Sequence, residues 1–140
     1  MNEKNNEIIQ WIIKADHDLG TAKVTHLHIP DYLDTTTFHC QQAVEKYLKG
    51  YLIFLDIEFK RYHDLIYLLE LITPKDPEIQ KYYDDLLELQ SYAVEIRYPN
   101  ETINLSNEKV EKSISIAKNI RLTITSKMNI SVDYNDIIDQ

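Results

Sequence analysis

The sequence predicts an all-α protein, a five-helix antiparallel up-and-down bundle. Three observations predict it: five apolar stretches of helical period, four prolines that punctuate them (Pro30, Pro74, Pro77, Pro99), and only two glycines in 140 residues. An all-β chain with many tight turns needs more turn-forming residues than this. A chain of 140 residues supports one core, so one domain is expected, over 1–128, followed by a polar tail at 129–140.

The first helix is expected from Asn6 to Leu27, because Ile8, Ile12, Ala15, Leu19 and Ala22 repeat at i, i+4, i+7, i+11 and i+14. Pro30 stops it, since a residue before proline is pushed out of the helical region. The second helix should start near Asp34 or Thr35 as N-cap, continue to Leu55, and occupy the centre. A short third helix follows over Asp64–Ile72. Thr73-Pro74-Lys75-Asp76-Pro77 is a stop and restart, with Asp76 as N-cap and Pro77 at the first helical position. The fourth helix, Pro77 to Ile96, has Ile79, Tyr82, Tyr83, Leu86, Leu87, Ala93 and Ile96 as its apolar residues. Ser106 caps a fifth helix to Met128 with Val110, Ile114, Ala117, Ile120 and Ile124 inside. Past Asn129 the chain is expected to fray, with Ile130, Val132, Ile137 and Ile138 as its apolar residues. Ten tyrosines imply core-rim positions where each buried hydroxyl finds a partner.

Composition narrows the function classes. A formal net charge of −8 argues against sequence-independent DNA binding, which depends on phosphate neutralisation by Lys and Arg. No apolar run approaches the ~18 residues of a membrane span. The stretch Met1-Asn2-Glu3-Lys4-Asn5-Asn6-Glu7 has no apolar signal core. Cys40 has no intramolecular disulfide partner, so a structural thiol in a reducing cytoplasm is expected.

The most informative segment is Phe38-His39-Cys40-Gln41-Gln42-Ala43-Val44-Glu45-Lys46-Tyr47-Leu48-Lys49. At helical spacing His39, Gln42, Lys46 and Lys49 share one stripe. A buried amine must be paired, so Glu45, Asp64 or a bound anion is expected beside Lys46 and Lys49. Two readings stand: an internal salt-bridge network, or an anion site. The structural outcome is favoured for Glu45–Lys49, and solvent exposure is expected for Lys46.

Four motifs then occur in order: Trp11…Ala15-Asp16-His17-Asp18-Leu19, the Phe38–Leu52 segment, His63-Asp64-Leu65-Ile66-Tyr67-Leu68-Leu69, and Ile96-Arg97-Tyr98-Pro99. Together, over roughly Glu7 to Lys127, they resemble the HEPN family of all-helical domains. The resemblance implies a homodimer, for which the fourth and second helices are the expected interface. It also implies a separate minimal nucleotidyltransferase as partner, as in some toxin–antitoxin pairs, because this chain has no Gly-Ser…Asp-x-Asp signature of its own.

Many HEPN ribonucleases carry Arg, four to six residues, then His. Such a pair works without metal, the His as base on the ribose 2′-hydroxyl and the Arg stabilising the charged transition state. Here the corresponding positions are Thr102, Ile103 and Asn104 after Arg97. They are Ile66, Tyr67 and Leu68 after Arg61, and Ser126, Lys127 and Met128 after Arg121. None is histidine. The chain therefore resembles a branch without the nuclease motif, and no catalytic residue is assigned. A metal-independent, toxin-like ribonuclease with a non-standard site is the alternative.

A nucleotide or other phosphorylated ligand is expected to meet Gln42, Lys46, Lys49, His63, Arg97 and Tyr98. The arginine would act as a bidentate partner, the lysines as point charges, and Tyr98 as a stacking surface. Glu45 and Asp64 are the expected structural partners, and His63 should lie at the N-cap of the third helix or one residue ahead. Gly20 and Gly50 form no phosphate loop, so side chains must build any anion site. No cofactor is implied. No zinc site can be assembled from His17, His26, His28, His39, His63 and Cys40, which lack three convergent ligands at metal-binding spacing.

Overall fold

The structure, a computed structural model, describes residues 2–97 and 105–133, without side chains for 93–97. Among the described residues it is all-helical: α1 (Glu3–His28), α2 (Leu33–Phe54), α3 (Leu65–Ile72), a 3-10 segment (Pro77–Tyr82), α4 (Tyr83–Arg97) and α5 (Asn107–Met128).

Helix α1 begins before Asn6 because the Asn2 side chain accepts from Asn5 N at 2.8 Å and so caps it. It stops at Ile29, which leaves helical geometry immediately before Pro30. Helix α2 starts at Leu33 with Tyr32 as its N-cap, ahead of the expected Asp34 or Thr35. Asp34 instead accepts from the adjacent Thr35 N at 2.9 Å. Its C-terminus is closed by a double backbone turn: Asp56 N donates to Ile53 O at 3.1 Å and Ile57 N to Leu52 O at 2.9 Å. Asp56 takes a left-handed φ of 60° to allow it. Asn129 ends α5 in the same way, at φ 54°. Asp64 and Ser106 cap α3 and α5 through their side chains, at 3.1 Å to Tyr67 N and 3.2 Å to Lys109 N.

The fourth helical stretch departs from expectation. Asp76 occupies the N-cap position but gives no side-chain cap. Its carboxylate accepts from Tyr51 Oη at 2.7 Å and pairs with Lys127 Nζ at 3.1 Å. Pro77–Tyr82 accordingly forms 3-10 turns before α-helix begins at Tyr83. Leu87, expected inside, is 47% exposed, and Leu89 and Tyr92 are buried in α4. Ala93 and Ile96 lie outside the side chains described.

Helix α2 packs against α1, α3, α4 and α5. The whole predicted stripe of α1 is buried, together with Val44, Tyr47, Leu48 and Leu52 of α2 and Ala117, Ile120 and Ile124 of α5. Burying each such Ile or Leu contributes about 1.5–3 kcal/mol. Past Met128 the chain docks as far as it is described: Ile130 and Val132 pack on the core. Ile137 and Ile138 lie outside the described residues. No described helix is long and apolar enough to cross a membrane.

Candidate functional site

The polar residues of α2 are divided between two carboxylates. Asp18 of α1 accepts from His39 Nδ1 at 2.9 Å and also holds the Lys46 ammonium. Lys46 is thus a partly buried, paired side chain rather than the solvent-exposed one expected. The reason is Asp18, which faces α2 across the packed α1–α2 pair and lies 28 residues away in sequence. Glu45 accepts from Lys49 Nζ at 3.2 Å and from His63 Nδ1 at 3.1 Å. Glu45 and Lys49 are both buried, and the Lys49 ammonium lies 5.6 Å from the Trp11 ring centroid and 5.9 Å from that of Phe59.

The carboxylates therefore split the stripe. His39 and Lys46 turn towards α1, whereas Lys49 and His63 meet at Glu45. Gln42 is half-buried on the same helix. Asp64, expected beside a lysine, is the N-cap of α3 and spends Oδ1 on Tyr67 N. The N-terminus of α3 is filled further by Gln90, whose Oε1 accepts from Leu65 N at 2.6 Å. His63 precedes this cap by one residue and its side chain is 65% exposed. A carboxylate has no proton to give, so Nδ1–H is the donor and Nε2 faces away from Glu45. Arg97 is the last residue of α4, its side chain outside those described, and Tyr98 lies outside the described residues.

A second buried cluster was not anticipated from the sequence. Asp16 accepts from Arg121 Nε at 2.7 Å, from Arg121 Nη2 at 3.0 Å and from Tyr47 Oη at 2.6 Å. Arg121 Nη2 also donates to Val132 O at 3.1 Å, which ties the segment after α5 to α1. One signal was present: Asp16 is four residues from Ile12 and three from Leu19, inside the apolar stripe of α1. An acid there requires a buried partner.

The hydroxyls of Tyr47, Tyr51, Tyr67, Tyr82 and Tyr92 meet polar partners. Burial, followed by its hydrogen bond to Asp76, raises the Tyr51 phenol above its ordinary range. Burial also pushes up the Asp76 carboxyl, but the hydrogen bonds from Tyr51 and Lys127 outweigh it and leave the group below its ordinary value. Burial pushes the Cys40 thiol up to about 12, which makes it an inert core side chain. Among the described residues no group of three or more His, Cys, Asp or Glu side chains is placed to hold a metal ion.

Chemically, the paired lysines form neutralised, low-exposure networks. In the Glu45 cluster the His63 side chain is the exposed member, at 65%, and its Nε2 has no hydrogen-bond partner among the described residues.

A model of the HEPN domain matches residues 8–136. No curated protein and no solved structure matches the chain significantly.

Proposed function

The chain belongs to the HEPN domain family, and from that membership we propose that it acts as a non-catalytic helical partner module. In this reading it works in the cytoplasm as a homodimer beside a separate minimal nucleotidyltransferase, in the manner of a toxin–antitoxin pair. It also binds a nucleotide or other phosphorylated ligand.

One observation carries the partner reading. Val24, Leu27, Ile29 and Tyr32 fall within nine residues around the α1–α2 turn and are 45%, 66%, 44% and 52% exposed. Large apolar side chains gathered at one end of a bundle favour a protein partner. Helices α2 and α4, the interface expected from the sequence, supply only Phe38 and Leu87 as large exposed apolar side chains among those described. The non-catalytic reading is supported by the missing Arg–His spacing and by the pairing of Lys46 and Lys49, which leaves neither amine free.

Co-expression with any minimal nucleotidyltransferase encoded by a neighbouring gene tests the proposal. A stable complex in size-exclusion chromatography with light scattering is expected, and Leu27→Glu should dissolve it. Purified protein that remains monomeric and forms no complex would count against the partner reading. Metal-independent RNA cleavage that disappears in Arg97→Ala would replace it with a non-standard ribonuclease.

A further inference from the structure

We infer that the loop Lys60-Arg61-Tyr62-His63 between α2 and α3 is a nucleotide-binding surface, with Lys60 and Arg61 on the phosphates and Tyr62 against the base. The inference rests on the ligand-binding part of the reading above and relocates it, because Lys46 and Lys49 are already neutralised by Asp18 and Glu45.

The first observation is charge. Among the described residues, Lys14, Lys60, Arg61 and Lys118 are the cationic side chains without a hydrogen bond or ion pair. Lys60 and Arg61 are the only two of these adjacent in sequence, and both are exposed. On an acidic protein, uncommitted neighbouring cations are a local anion site that the net charge conceals. Two carboxylates lie nearby in sequence. Glu58 lines an open groove with Glu7, Asp56 and Phe59, and Asp64 caps α3.

The second observation is order. Lys60 N donates to Tyr67 Oη at 3.0 Å. Tyr62 N donates to Lys60 O at 2.8 Å, a tight i to i+2 turn with Arg61 at its tip. The Tyr62 ring meets Tyr67 edge-on at 5.1 Å and stays 50% exposed. His63 is held by Glu45. The backbone is thus fixed while the binding groups stay free, which lowers the ordering cost of binding.

The third observation explains the buried ion pair. Glu45 orients His63, and Lys49 cancels the carboxylate charge that would otherwise repel an approaching anion. The His63 side chain is left 65% exposed two residues from Arg61, where its ring offers the ligand a further hydrogen-bonding group. An aromatic ring flanked by cations on one short loop matches a nucleoside polyphosphate, since a base stacks on the ring while the phosphates meet the charges.

Calorimetric titration of the full chain with ATP, inorganic tripolyphosphate and adenosine tests this. ATP is expected to bind most tightly of the three. Lys60→Glu/Arg61→Glu should weaken ATP at least ten-fold, whereas Lys14→Glu/Lys118→Glu should leave it unchanged. Tyr62→Ala should remove most of the advantage of ATP over tripolyphosphate. Wild-type affinity in the Lys60/Arg61 double variant would overturn the inference yet leave ligand binding standing elsewhere on the chain. Equal weakening by both double variants would show a non-specific charge effect and overturn it as well. An unchanged ATP preference in Tyr62→Ala would overturn the role of the ring. Absence of ATP binding to wild type at millimolar concentration would remove both the inference and the ligand-binding reading.

Discussion

Lys49 donates to Glu45 one helical turn away at 3.2 Å, and the two side chains are only 7% and 4% exposed. An i,i+4 pair on a helix surface contributes about 0.3–0.5 kcal/mol. This one is enclosed between Trp11, Phe59 and His63, so the energetics of a buried pair apply. Its removal has an asymmetric cost, because either partner left alone is an uncompensated buried charge.

Lys49→Ala should therefore destabilise the fold by about 3 kcal/mol or more, reduced to the extent that His63 still donates to Glu45. Lys46→Ala should cost less, because Lys46 and Asp18 retain more solvent contact and His39 stays on Asp18. Urea denaturation of the two variants checks the order. Equal losses would show that both pairs are solvated alike.

Arg121→Ala removes a two-nitrogen contact to Asp16, which is 8% exposed. A loss of about 3 kcal/mol is expected, together with faster hydrogen exchange around Val132, whose carbonyl also loses its donor. Tyr47→Phe removes one neutral donor from the same carboxylate and should cost about 1 kcal/mol. Arg121→Lys should restore only part of the loss, since an ammonium cannot reproduce the fork.

The acid side of the stability profile should depend on Glu88. Its hydrogen bond from Lys112, then that from Tyr92 at 2.6 Å, hold the Glu88 carboxyl below its ordinary value. A carboxylate lowered on folding contributes stability that is present above its unfolded pKa and disappears as pH falls through its lowered folded value. Denaturation midpoints should thus fall with acidification from about pH 4.5 downward, and Glu88→Gln should flatten that limb. Asp76, also lowered overall, should retain a residual acid dependence in the variant. An acid limb unchanged by Glu88→Gln would exclude this contribution.

Gly50 lies in the interior of α2 against α1. A Cβ built there would sit 3.4 Å from Trp11 Cβ and 3.5 Å from Ile12 Cδ1, ordinary contact distances. Glycine costs up to about 1 kcal/mol relative to alanine within a helix. Gly50→Ala should consequently raise the melting temperature, whereas Gly50→Leu should lower it by overpacking against Trp11. A loss of stability in the alanine variant would show that the helices cannot take up even a methyl group.

The sequence by itself determined the number of helices, the place of most boundaries, the buried face of α1 and the HEPN membership. These are local or periodic properties: Pro30, Asp64, Ser106 and the Ile8–Ala22 rhythm act within a few residues of themselves. The Glu45–Lys49 contact was legible for the same reason, since four residues of helix bring the two side chains together. Only the tertiary structure decided which distant group each remaining charge meets. Asp18 takes Lys46, Asp16 takes Arg121 across 105 residues, and Asp76 leaves its cap for Tyr51 and Lys127. Nothing in the spacing of a chain specifies these partners, because they depend on helix rotation and register in the packed bundle. The pairing also decided that the lysine stripe is neutralised, leaving Lys60 and Arg61 as the adjacent uncommitted cations among the described residues. Each buried charge must find an opposite one, and only packing determines which charges are left over.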